Sequence, residues 1–223
     1  MSVETKFGDA EIFEAISDIH LFFPIGKMLI PICKDLGLTP NMITTLSLIC
    51  TLNCYMKINK NKKEAIISYF LGYLLDCMDG MMARKYNMGS NFGMTYDLVT
   101  DTVSNALILH LMFTKEDIPT NVKAMIVVML IFLMLLNSFN EAHCAFQKTG
   151  NDNFYEQKKK QLSENTGILK DLYLQIEESN YDIYKRIMPV YDEKKVLGYV
   201  KYFKMFGPGN FCLMMIYLMN RYF

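Results

Sequence analysis

DCMDGMMARKYNMGSNFGMTYDLVTD (residues 76–101) joins the end of one apolar block to the start of the next and carries four aspartates. Asp76 and Asp79 lie one helical turn apart, as do Asp97 and Asp101, so each pair shares a helix face. The connection between the blocks, 81–91, is short, which makes the two helices antiparallel neighbours and puts all four carboxylates on one side. A carboxylate facing lipid at the centre of a bilayer costs about 2.5–3.5 kcal/mol, so these must face inward or lie at the interface. Ordinary helix-end charges reaching water would account for one pair but not for two on adjacent helices. Four like charges in one cleft require cations to stay ionised. Oxygen-only ligands of high charge favour Mg²⁺ or Mn²⁺ over zinc.

Outward from this stretch the chain alternates apolar blocks with short polar turns. The first block starts at Pro40, a residue suited to the first turn of a helix, and ends at Lys57. A second runs from Ala65 and stops at Gly80, a third from near Phe92 to Phe113, and a fourth from Val122 to about Phe139. Each approaches the roughly 20 residues a helix needs to cross a bilayer. Before them, Asp9 to Asp35 is amphipathic, with Ile12, Phe13, Ile16, Ile19, Phe22 and Phe23 at helical spacing and Pro24 breaking the run, the pattern of an interfacial helix. From Gln147 to Lys204 the chain is charged and polar, and a last apolar run follows the breaker Gly207-Pro208-Gly209. The expected fold is all-α: a polytopic membrane helix bundle with an N-terminal amphipathic interfacial helix, four transmembrane helices and a candidate fifth at the C-terminus.

Composition agrees. Hydrophobic residues make up 52% of 223, charged residues 21%, and mean hydropathy is +0.13. Such values fit charges segregated from apolar blocks better than the interleaving of a soluble enzyme. The 23 basic and 23 acidic residues cancel, which leaves no basic excess for nucleic acid. Six cysteines form no CxxC pair and read as reduced, small hydrophobic residues. The three histidines have no zinc spacing. Acidic residues interrupt the N-terminal stretch before any apolar core, unlike a signal peptide.

Written out, the decisive stretch is Asp76-x2-Asp79-Gly80-x2-Ala83-Arg84-x8-Gly93-x3-Asp97-x3-Asp101. Gly80 and Gly93 remove side chains where a phosphate would approach the backbone, and Ala83 keeps that wall low. Arg84 is a planar, permanently charged fork suited to a diphosphate. Two divalent ions held by the aspartates would polarise a phosphoryl group and neutralise its leaving phosphate. This run resembles the full signature of the CDP-alcohol phosphotransferases, with every fixed position filled. Eight such identities arise by chance in roughly one window per 10⁹.

The resemblance implies that Asp76, Asp79, Asp97 and Asp101 bind metal and that Asp101 is also the base for the acceptor hydroxyl. Thr39-Pro40-Asn41-x2-Thr44 resembles the family's motif at the start of its first span. Asn41, Thr44, Gly80, Ala83, Arg84 and Gly93 would then surround the cytidine diphosphate. The expected boundaries are an interfacial segment 1–37, a catalytic helix bundle 38–146, a polar charged insert 147–204 and an apolar helix 205–223, with the resemblance confined to about residues 38–145. The implied reaction moves a substituted phosphate from a CDP-linked donor to a hydroxyl, with release of CMP. Leu75-Asp76, Asn87, Gly89, Phe92-Gly93 and Thr100-Asp101 are most similar to eukaryotic phosphatidylinositol synthases, whereas PNMITTLSL is closer to choline and ethanolamine phosphotransferases. CDP-diacylglycerol with inositol is therefore the preferred pair. A CDP-aminoalcohol with diacylglycerol, or an inactive membrane scaffold of the same fold, is the alternative.

Asn137, Asn140 and Glu141, at the end of the fourth block, are a candidate acceptor pocket, since a polyol needs several fixed hydrogen-bond partners. A helix end emerging into water is the equal alternative. The aspartate side receives 16 Lys and Arg and the opposite side seven, which favours a cytosolic active site. The expected setting is a multi-pass protein of an endoplasmic reticulum-type membrane, with a homodimer as a candidate assembly.

Overall fold

The structure is a computed structural model in which residues 13–163 and 167–223 are described. Residues 1–12, including Ile12 of the expected amphipathic helix, lie outside them. The described residues are helical and include no strand. They form two compact units, one of residues 17–127 and 208–223, the other of residues 13–16 and 128–207.

The first unit begins with a π-helical turn, Asp18–Phe22, that runs directly into α1 (Phe23–Asp35). Pro24 does not break the helix as expected. The π turn ends where the Phe23 amide bonds Asp18 O, so the return to α-helical bonding falls at Pro24, which has no N–H to place. α2 (Pro40–Lys57) is capped by Thr39, whose Oγ1 accepts the Met42 amide at 3.3 Å. α3 (Lys62–Lys85) is capped by Asn61 and α4 (Asn91–Thr114) by Ser90.

α3 does not stop at Gly80. A helix tolerates one interior glycine at about 1 kcal/mol, and the Met, Ala, Arg and Lys that follow are good helix formers. The extension carries Gly80, Ala83 and Arg84 on the same helix as Asp76 and Asp79 and shortens the connection to residues 86–90. There Asn87 takes a left-handed φ of 52°, which asparagine tolerates better than most residues.

Small and polar residues set the distance between helices, as in membrane bundles. A Cβ on Gly72 would lie 3.2 Å from both Ser47 O and Thr51 Oγ1, so α2 and α3 meet nearly backbone to backbone. Ser47 Oγ donates to Gly72 O at 2.8 Å, and Asn53 Nδ2 to Ser68 Oγ at 2.7 Å. α4 joins α2 through Thr45 Oγ1 and Tyr96 OH at 3.0 Å and through Tyr55 OH and His110 Nδ1 at 3.0 Å. The last helix of the unit, α9 (Pro208–Tyr222), packs on α3.

α5 (Thr120–Thr149) extends ten residues past Phe139, and most of it belongs to the second unit. The segment expected as a polar insert folds there into α6 (Phe154–Gln161), α7 (Ile168–Ile187) and α8 (Glu193–Phe203). Its apolar residues join those of α5 in one core that includes Leu136, Phe139, Phe154, Tyr184, Val196 and Val200. A boundary at 146/147 thus crosses a shared core. Asp152 fastens the loop before α6, accepting from Tyr184 OH at 2.8 Å and from Lys185 Nζ at 2.7 Å.

All six cysteines are free. Among the described residues two helices, α3 and α5, are long and apolar enough to cross a membrane. α9 has 15 residues, fewer than the roughly 20 a full crossing takes.

Candidate active site

The stretch 76–101 folds into the end of α3, a five-residue connection and the start of α4. Asp76, Asp97 and Asp101 each bring a carboxylate oxygen to within 4.8 Å of the other two. The five-residue connection makes this possible, because Asp97 and Asp101 are one turn apart on α4 and meet Asp76 of α3. Three carboxylate oxygens at this separation are a hard, anionic donor set. It suits an octahedral Mg²⁺ or Mn²⁺ better than zinc, and the residues fit such an ion.

Asp79 lies outside that triple. It is 4% exposed, and its Oδ2 accepts a hydrogen bond from Thr44 Oγ1 at 2.5 Å. The same hydroxyl also lies 3.1 Å from Pro40 O, one turn back on α2. Thr44 thereby ties the start of α2 to the end of α3.

A cleft of about 190 Å³ opens beside the carboxylates. It is lined by all six residues expected to hold the diphosphate: Asn41, Thr44, Gly80, Ala83, Arg84 and Gly93. Asp79 and Asp97 line it too, so Asp97 belongs both to the carboxylate triple and to the cleft. Arg84 folds back over Gly80, where an added Cβ would sit 3.2 Å from Nη1. Gly93 is tighter still, since a Cβ there would lie 2.9 Å from Asn41 Oδ1 and 3.0 Å from Ser90 Oγ.

Sequence reasoning missed Ser90, Met88 and Met94 in the cleft wall. Ser90 had a readable signal, a serine just before a helix start with its Oγ placed to accept the Gly93 amide, here at 2.9 Å. The candidate acceptor residues Asn137, Asn140 and Glu141 lie on α5 in the other unit. Asn140 is buried, and its Oδ1 has no hydrogen-bond partner among the described residues. Glu141 pairs with Lys158 at 3.7 Å.

Comparison with known proteins points the same way. The chain is 34% identical over 70 residues to a probable CDP-diacylglycerol–inositol 3-phosphatidyltransferase 2 of Arabidopsis thaliana, 31% of either chain. It is 34% identical over 73 residues to the CDP-diacylglycerol–inositol 3-phosphatidyltransferase of Candida albicans, 32% of either chain. An archaetidylinositol phosphate synthase of Pyrococcus horikoshii is 37% identical over 86 residues, 38% of this chain and 44% of that one. The chain thus spans about a third of the length of the eukaryotic relatives it matches. No solved structure matches significantly. The profile of the CDP-alcohol phosphatidyltransferases matches residues 37–158, just over half the chain, and takes in the whole cleft and carboxylate triple. On that match, this chain belongs to the CDP-alcohol phosphatidyltransferase family.

Proposed function

We propose that the chain is an integral-membrane transferase that moves the phosphatidyl group of CDP-diacylglycerol to a hydroxyl of inositol, releasing CMP. The observation that carries this reading is that Asp97 belongs to both the carboxylate triple and the Arg84 cleft. A diphosphate in the cleft would meet a fixed cation on one side and the carboxylates on the other. The names of the plant, yeast and archaeal relatives all concern inositol lipids, which favours inositol over an aminoalcohol.

In the proposed reaction a new bond forms between the acceptor oxygen and the β-phosphorus, and the bond from that phosphorus to CMP breaks. Divalent ions held by Asp76, Asp79, Asp97 and Asp101 would supply charge neutralisation for the diphosphate. Arg84 binds the diphosphate bidentately, Asn41 and Thr44 hold the nucleotide end, and Asp101 takes the acceptor's proton. Gly80 and Gly93 leave room for phosphate oxygens against the helix backbones.

The membrane setting is supported by apolar stripes on the helix surfaces. Met42, Ile49 and Met56 on α2 are 48, 53 and 62% exposed, and Val128 and Ile131 on α5 are 47 and 48% exposed. Contiguous apolar surface of this kind faces lipid or a partner rather than water. We read α2, α3, α4 and α5 as the spans, with the carboxylates toward the cytosol by the excess of Lys and Arg on their side.

The test is CMP release by the purified chain with Mg²⁺. CDP-diacylglycerol plus inositol should give CMP, and CDP-choline or CDP-ethanolamine plus diacylglycerol should not. The reverse preference assigns the aminoalcohol reaction, and no CMP from any donor leaves the scaffold reading.

A further inference from the structure

An open groove of about 410 Å³ lies between α3 and α9, within the range of clefts that hold small molecules. Lys63, Ile66, Ile67, Leu213, Ile216 and Tyr217 line it. It is separate from the carboxylate cleft. Lys63 is 13 residues before Asp76 on α3, about 20 Å along the helix axis, so the groove is at the opposite end of the bundle.

That end is basic. Lys57, Lys60, Lys62 and Lys63 fall within seven residues, and they hold four of the seven cations that the sequence puts on this side. Lys57 is neutralised by Glu64 at 3.4 Å, and Lys62 is committed to Asn220 O at 2.8 Å near the end of α9. Lys63 is exposed, lines the groove and makes no ion pair among the described residues. Along the groove the side chains turn apolar and stay open, with Ile67 59% and Tyr217 60% exposed.

An exposed cation lining an otherwise apolar groove beside a helix read as membrane-spanning matches one class of ligand. We propose that this groove binds an anionic phospholipid of the leaflet opposite the carboxylates. Its phosphate lies at Lys63 and one acyl chain lies along Ile66, Ile67, Leu213 and Ile216. The proposal rests on the membrane reading and adds a lipid site distinct from the reacting one. Charge supplies the selectivity, because a zwitterionic lipid gains the same apolar contact and less from Lys63. A neighbouring protein helix would fill the channel equally well but would leave Lys63 without a counter-charge.

The chain contains no tryptophan, so Tyr217→Trp places a single fluorescent reporter in the groove. The full-length variant is reconstituted in phosphatidylcholine vesicles and titrated with brominated phosphatidylserine or brominated phosphatidylcholine, whose bromines quench the indole. Phosphatidylserine should bind about five-fold more tightly, the worth of one lysine near a lipid surface. Lys63→Gln in the same background should abolish the preference and Lys63→Arg should retain it, with CMP release in phosphatidylcholine unchanged in both. Equal quenching by the two lipids, or a preference that survives Lys63→Gln, overturns the proposal. Vesicle flotation precedes the titration. A folded chain that fails to float overturns the membrane reading and this site with it, whereas a chain that floats without lipid preference overturns this site alone.

Discussion

The carboxylate of Asp18 accepts the amide N–H of Gly209 at 3.2 Å, across 191 residues of sequence. Its other oxygen accepts the hydroxyl of Tyr73 at 2.8 Å. Asp18 is 2% exposed, so one buried carboxylate joins the N-terminal helix, α3 and the first turn of α9. The carboxyl group thus caps the first turn of α9.

That contact leaves no room for a side chain at Gly209, where an added Cβ would overlap Asp18 Oδ1 and Ser17 Oγ. Gly209→Ala should therefore destabilise the protein by about 1–3 kcal/mol, as overpacking does, read as a lower melting temperature in detergent. Gly198→Ala is the control. A Cβ there meets nothing within 4 Å on α8, and the change should be neutral or stabilising by about 1 kcal/mol.

Thr44 Oγ1 donates to the buried Asp79 at 2.5 Å. A hydrogen bond to a charged group contributes about 1.5–3 kcal/mol. Thr44→Val should accordingly lower kcat/KM for the CDP donor by about ten- to a hundred-fold. Thr44→Ser, which keeps the hydroxyl, should restore most of it in the same CMP-release assay.

Asp76 and Asp101 belong to one carboxylate triple but carry different proposed roles. Asp101→Asn should still bind the CDP donor in Mg²⁺ yet turn over about 10²–10⁴-fold more slowly, the usual cost of losing a general base. Asp76→Asn should lose donor binding and turnover together. Donor titration against CMP release separates them, and equal loss of binding in both would make the triple a metal cage without a base. Chelator should silence the wild type, and Mg²⁺ or Mn²⁺ should restore it.

Arg84 lines the cleft with its guanidinium folded over Gly80. Lysine keeps the charge but offers no planar fork, so Arg84→Lys should weaken donor binding at least tenfold by titration. Unchanged affinity would reduce Arg84 to an interfacial charge.

In the second unit the Tyr184 hydroxyl is buried and donates to Asp152. Burial first, and the bond to Asp152 second, hold its proton and push its pKa up. The folded state keeps a proton that the unfolded state loses near pH 10. Stability is therefore fully present below that pH and falls as pH rises above it. Tyr191, pushed up to about 12 chiefly by burial, acts in the same direction. Melting temperatures between pH 8 and 11 should drop at the alkaline end, and Tyr184→Phe should flatten the drop.

The cleft was legible in the sequence because its chemistry is local. Asp76, Asp79, Gly80, Ala83 and Arg84 recur at helical spacing, and one short connection brings Asp97 and Asp101 back to them. The Gly80 helix end was misplaced because glycine reads as punctuation, while the helix formers after it outweigh it. Pro24 misled for a similar reason, since a π turn can absorb the missing donor and no composition announces one. The Asp18–Gly209 contact has no local signature at all. Nor did the second core, in which Phe139, at the end of an apolar block, joins Tyr184, Val196 and Val200, scattered among lysines and glutamates, only when three helices meet.

The unit that holds the cleft is discontinuous: residues 128–207 fold as another body between its two pieces. A nascent chain leaves the ribosome at about 5–20 residues per second, so α9 follows the rest of its unit by roughly 4–16 s. During that interval Asp18 and Tyr73 have no Gly209 amide to meet, and the face of α3 that α9 covers is bare. Biogenesis thus includes an interval in which the unit lacks the helix that covers this face of α3. A chaperone or insertase that recognises open helix faces has its longest opportunity there, and truncations before residue 208 should be its most persistent clients.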